Sequence, residues 1–314
     1  MVHWLVWGSV GLTSRLLHNV GHNYYNMYIT NGFNNCLVNI YLFAIVFTTK
    51  LIVNPVFYFD KTLIIFGVTS TIYPYWVNKA NELIPHSPYP LLITHTDPII
   101  LTAISPIIFG SSNRIAMLFP IYCMTIAKLL IIYYDNPYSR IAMDEESLQE
   151  ELQQPLLHDR VLSNIHIGFS AMSLGCIVGK DVSLGIMAND GIAISDILLM
   201  HQAFAVFFSL FYKFYKNVAV GLIYIDDEPT RQEHIIPVVI LFNNDLIKFL
   251  YIFSLYNCYL DIPNNGYAKL FMNFYIPLLW CLKLEMNERH CNEYYISSYY
   301  CYFLSLFGLL YFGR

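Results

Sequence analysis

Apolar residues gather along the chain into long, nearly unbroken runs, of which "CLVNIYLFAIVFTTKLIVN" over 36–54 is the clearest, and short polar clusters separate them. A helix needs about 20 largely apolar residues, with a range of about 17 to 25, to cross a hydrocarbon core. Runs at 36–54, 62–78, 91–110, 115–134, 191–212 and 294–312 meet that length, and those at 164–180, 234–260 and 267–283 are more polar or of awkward length. Units of about ten residues with alternating apolar and polar positions, the mark of a membrane barrel, are missing, and lipid leaves the backbone no third option. The pattern predicts an all-α, polytopic transmembrane helical bundle of about eight spans, between six and nine.

Aromatic residues stand where such spans would end. Tyr133 and Tyr134 close one run, Tyr73, Tyr75 and Trp76 close another, and Tyr294, Tyr295, Tyr299 and Tyr300 open the last. Rings with a polar tip favour the headgroup layer, where one end stays wet. One long polar connection, "DNPYSRIAMDEESLQEELQQPLLHDR" over 135–160, holds seven acids against two arginines, a balance of −5 that equals the net charge of the whole chain. Residues 144–152 within it suit a short amphipathic helix that Pro155 would end. This divides the chain into an N-terminal membrane half, 1–134, an acidic extramembrane loop, 135–162, and a C-terminal membrane half, 163–314. The halves share no internal repeat, which weakens an inverted-repeat transporter.

Composition sharpens the class. Only 12% of the residues are charged and 56% are hydrophobic, against about 25% charged in soluble domains. So few charges cannot coat a soluble particle of this size, whereas lipid accepts Leu, Ile and Phe on the outside. The chain begins "MVHWLVWGSVGL", without the pattern of a cleaved presequence, so insertion is expected to depend on the spans themselves. The seven cysteines form no CxxC pair and stand mostly in apolar runs, as free thiols would. Orientation is weakly marked; Lys213 and Lys216 favour the side of the acidic loop as internal.

Ionisable residues inside apolar runs are the candidates for chemistry. In "GIAISDILLMHQAF" over 191–204, Asp196 and His201 stand in a span, with Asp190 just before it. On one helix Asp196 and His201 lie about 140° apart, and Asp190 and His201 share a face about 16 Å apart, so each needs a partner from elsewhere. A lipid-facing carboxylate costs about 3 kcal/mol on insertion scales, so Asp196 should face the interior, be protonated, or pair with a cation. In "LLITHTDPIILTAISP", Pro98 predicts a helix break near His95 and Asp97 that suits ion binding, or else an Asp97–Pro98 cap on a following helix. In "VVILFNNDLIKFLYIF", Asp245 and Lys248 stand three apart and form either an ion pair on one face or the polar turn of a hairpin. These residues are candidates for handling ions or protons.

No metal is expected: His18 and His22 share a helical face but lack the Glu of an HExxH pattern, which leaves them the weakest of ligand candidates. No cofactor is expected either, since phosphate loops and nucleophile elbows are missing. Without a basic stripe, nucleic acid is not an expected partner; the partners are the lipid bilayer and other membrane subunits. The favoured function is a subunit of a larger membrane complex without catalysis of its own, with a respiratory or other energy-transducing complex of the mitochondrial inner membrane as the expected setting. Few Lys beside abundant Ile, Asn, Tyr and Phe favour that setting. An ion or small-solute carrier and an intramembrane His/Asp enzyme are the alternatives.

Overall fold

The computed structural model describes residues 33–83, 96–110, 153–220 and 248–261, with single positions at 119, 122, 123, 126, 127, 246, 266 and 269. Among the described residues there are helices and no strands: α1 Phe33–Val53, α2 Lys61–Leu83, α3 Asp97–Phe109, α4 Gln153–Asn189, α5 Ile194–Val220 and α6 over 248–261. Three carry stretches long and apolar enough to cross a membrane: Cys36–Val53 in α1, Asn164–Asn189 in α4 and Ile194–Phe211 in α5. The apolar stretches Lys61–Tyr73 of α2 and Asp97–Phe109 of α3 are shorter. Of the other expected spans, 294–312 lies outside the described residues, and 115–134 and 267–283 are described at single positions only.

Several boundaries differ from the sequence reading. The helix expected over 164–180 runs from Gln153 to Asn189. Pro155 falls in its first turn, where a proline lacks no needed donor; the short helix expected over 144–152 lies outside the described residues. The next helix begins at Ile194 and not at 191. Between them Gly191 takes a left-handed φ of 69°. Its N–H donates to the Ala188 carbonyl at 3.2 Å and the Ile192 N–H to the Met187 carbonyl at 2.9 Å, the paired bonds of a Schellman cap. Met187 and Ile192, the two side chains that such a cap brings together, are both buried.

The chain divides into two compact units, Met1–Thr71 with Gly179–Asp261, and Ile72–Val178 with Ile262–Arg314. In the first unit α1 packs along α5. Val38 and Leu42 are buried with Phe249, and Val46 and Leu198 pack on them. Val38, Leu42, Val46 and Lys50 follow one another at intervals of four, which makes a single ridge on the helix surface. The start of α2 touches both arms of the helical turn at 190–193. A Cβ at Gly67 would strike the Phe204 ring, and one at Gly179 would press on Thr69 at 3.3 Å. Since 179 and 204 stand on opposite sides of Gly191, α5 folds back along the last turns of α4. Helix α6 closes this group, with the Tyr256 hydroxyl donating to the Ile192 carbonyl at 2.8 Å.

In the second unit α3 starts at Asp97, with Thr96 in the cap position and Pro98 in the first turn, and ends on Gly110 at φ 63°. Its buried side is Asp97, Pro98, Leu101, Thr102 and Ser105, while Ile107 and Ile108 face outward. Gly266 lies so close to Thr102 that a Cβ there would run into the Thr102 backbone. Trp76 and Phe169 pack ring to ring at 5.6 Å.

Among the described residues the exterior is widely apolar, and polar side chains are buried beside the apolar core. Leu37, Ile40, Ile45, Leu51, Phe207 and Phe211 are exposed, whereas Asn39, Lys50, Asp181, Asp196, His201 and Gln202 are buried. Exposed hydroxyls on α1 are satisfied within the helix: Thr48 donates to the Ala44 carbonyl at 2.7 Å and Thr49 to the Ile45 carbonyl at 2.8 Å. Such back-bonding leaves no demand for water on an outward face.

Candidate functional site

The polar groups of the first unit converge where the last turn of α1 meets the first turn of α5. Lys50 Nζ lies 2.8 Å from Asp196 Oδ2 and 3.3 Å from Ser195 Oγ. The Tyr58 N–H, from the connection after α1, approaches Asp196 Oδ1 at 3.5 Å. The carboxylate thus stands at the electropositive start of one helix and the ammonium at the electronegative end of another, a placement that favours each by on the order of 1 kcal/mol. Burying two ions costs several kcal/mol apiece, and close pairing with further hydrogen bonds is what offsets it.

Deeper along α5 are two more polar contacts. Ser70 Oγ of α2 and His201 Nδ1 lie 2.7 Å apart. The imidazole is flanked by the rings of Phe66 and Phe249, with centroids at 6.3 and 6.0 Å. Gln202 Nε2 donates to both the backbone carbonyl and the side-chain oxygen of Asn39, at 3.0 and 3.1 Å. Polar side chains therefore line the α5 interior from its first turn towards the middle of the apolar stretch. Asp196 and His201 have separate partners on separate helices.

The other expected site residues are placed as follows. Asp190 is exposed at the C-terminal cap of α4, and the break at 191 removes the common helix that would align it with His201. Asp97 is buried in the first turn of α3, with Oδ2 3.5 Å from Lys269 Nζ. Lys248 opens the described part of α6 and is half-buried. His18, His22, His95 and Asp245 lie outside the described residues.

Lys50, Ser70, Lys180 and Lys269 were not singled out by sequence. Lys180, expected near a span end, is buried within α4, 3.4 Å from Asp181 Oδ1 and 5.6 Å from the Tyr251 ring centroid. For Lys50 the sequence carried no signal, because α1 is apolar on its outward face as well as along its packed ridge. Among the described residues no three His, Cys, Asp or Glu side chains converge as a metal site, and Cys36, Cys123, Cys176 and Cys258 are free thiols. No protein-family model matches the chain, and no curated protein matches it.

Proposed function

We propose that the chain is an integral membrane protein of several spans that works as a subunit of a larger membrane assembly, without catalysis of its own. The observation that carries this reading is the apolar exterior of α1 and α5, with ionisable and polar side chains withdrawn into the packed interior, an arrangement that lipid rewards and water penalises. Scarce Lys beside abundant Ile, Asn, Tyr and Phe favours the mitochondrial inner membrane and a respiratory or other energy-transducing complex. The test is purification in mild detergent with identification of every co-migrating protein. Migration far above 36.5 kDa with partners at a defined stoichiometry supports the subunit role, and a single chain in its micelle opposes it.

The buried Lys50–Asp196 pair favours a second reading, a carrier of ions or small solutes, because ionisable groups within membrane spans tend to mark the path of a transported charge. Uptake into proteoliposomes that is lost in the Lys50→Met, Asp196→Leu double variant, which keeps its fold, supports it, and equal uptake removes it. The His/Asp enzyme has less behind it, since Asp196 is engaged by Lys50 and not by His201.

A further inference from the structure

The connection between α1 and α2 is short and polar at its two ends but apolar in between. Asn54 Oδ1 accepts the Val56 N–H at 3.1 Å, and Asp60 caps α2 through the Lys61 N–H at 2.7 Å and the Thr62 hydroxyl at 2.9 Å. Between these turns stands "VFYF", with Val56 70% and Phe59 73% exposed. A solvated loop would be expected to carry polar residues here. Phe57 folds back to stack on Phe47 at 5.9 Å, and Phe47 stacks on Phe43 at 5.8 Å, so the apolar outer face of α1 continues without interruption into the loop. The Cys36–Val53 stretch has 18 residues, or about 27 Å of helix, slightly less than the roughly 30 Å of a hydrocarbon core. An apolar loop at its end supplies the missing depth.

Asp196 gives this loop a purpose. Phe207 stands eleven positions further along α5, which returns it to within about 20° of the same azimuth, and Phe207 is exposed. Asp196 on that azimuth is 6% exposed; the end of α1 and the loop cover it, with Lys50 and the Tyr58 N–H as the covering groups.

We propose that Val56, Phe57 and Phe59 form an interfacial anchor seated in the headgroup–acyl boundary of the bilayer, and that this seat holds the 54–60 connection over the Lys50–Asp196 pair. The inference rests on the membrane reading and fixes the partner of this surface as lipid. Phe59→Trp tests it in vesicles after detergent removal, with wild-type emission subtracted for the native tryptophans. The added tryptophan should emit to the blue of its position in water. At an interfacial depth of about 5–10 Å, it should lose about half its emission to lipids brominated near the headgroup end of the chain, and little to aqueous iodide. If the protein floats with the vesicles but iodide alone quenches, the anchor is wrong while the membrane reading stands. Shielding from both quenchers would mean that a protein surface covers the loop, which also overturns the lipid seat. Protein that fails to float removes both.

Discussion

Lys50 and Asp196, 146 positions apart in sequence, form a 2.8 Å ion pair with both side chains buried. The attraction of such a pair is largely offset by the loss of hydration, so the pair is costly chiefly when half of it is removed. Asp196→Asn or Lys50→Met should each destabilise the protein by about 3–5 kcal/mol, and Lys50→Met with Asp196→Leu together should recover most of that. Thermal unfolding in mild detergent checks this; a double variant that loses the sum of the two single losses would mean that the charges are not coupled.

The Ser70–His201 contact makes a smaller demand. Ser70→Ala leaves a buried imidazole nitrogen without its hydroxyl, at a cost of about 1–3 kcal/mol, whereas adding His201→Leu should return part of the loss. A double-variant cycle on unfolding temperature reads the coupling, and additive effects would deny the contact.

Two glycines predict opposite responses to rescue. A methyl at Gly67 meets the Phe204 ring, and a methyl at Gly266 meets the Thr102 backbone. Gly67→Ala and Gly266→Ala should each cost about 1–3 kcal/mol by overpacking. Phe204→Leu should relieve the first, and no trimming of the Thr102 side chain should relieve the second. The yield of folded protein in detergent measures both.

Asp60 supplies a dependence on acid. The Thr62 hydroxyl and then the Lys61 N–H hold its carboxyl below the ordinary 3.8. A value lowered by folding means that the stabilisation is complete above the unfolded value and disappears as pH falls through the folded one. Asp60→Asn keeps a capping oxygen without the titration. The difference in unfolding temperature between wild type and this variant should therefore move in favour of the variant as the medium is acidified from neutral to below pH 3.8, and a constant difference would contradict the cap.

Apolar run length made α1, the apolar part of α4 and α5 legible in the sequence, because a helix that must cross lipid advertises its length in composition. The same uniformity hid which face of each helix is buried. In α1 apolar residues occupy both the packed ridge of Val38 and Leu42 and the outward positions Leu37 and Ile45. Asp196 was legible as a charge needing a partner, but the partner came from a helix far away in sequence, and a lysine three residues from a helix end reads equally well as a side chain reaching for water. Asp190 misled for a local reason. Gly191 ends α4 and separates Asp190 from α5; the Asn-Asp-Gly run at 189–191 carried that stop, and the apolar run length masked it.

Gly191 carries more than a turn. Helix α4 ends at Asn189 and α5 starts at Ile194, and an L side chain in the left-handed region costs about 1–2 kcal/mol. Were the stop to fail, the helical tendency on both sides would favour one straight rod over 153–220, roughly 100 Å long at 1.5 Å per residue. No bilayer accommodates such an object upright. The missing methyl at Gly191 lets this part of the polypeptide double back within the lipid without that conformational cost.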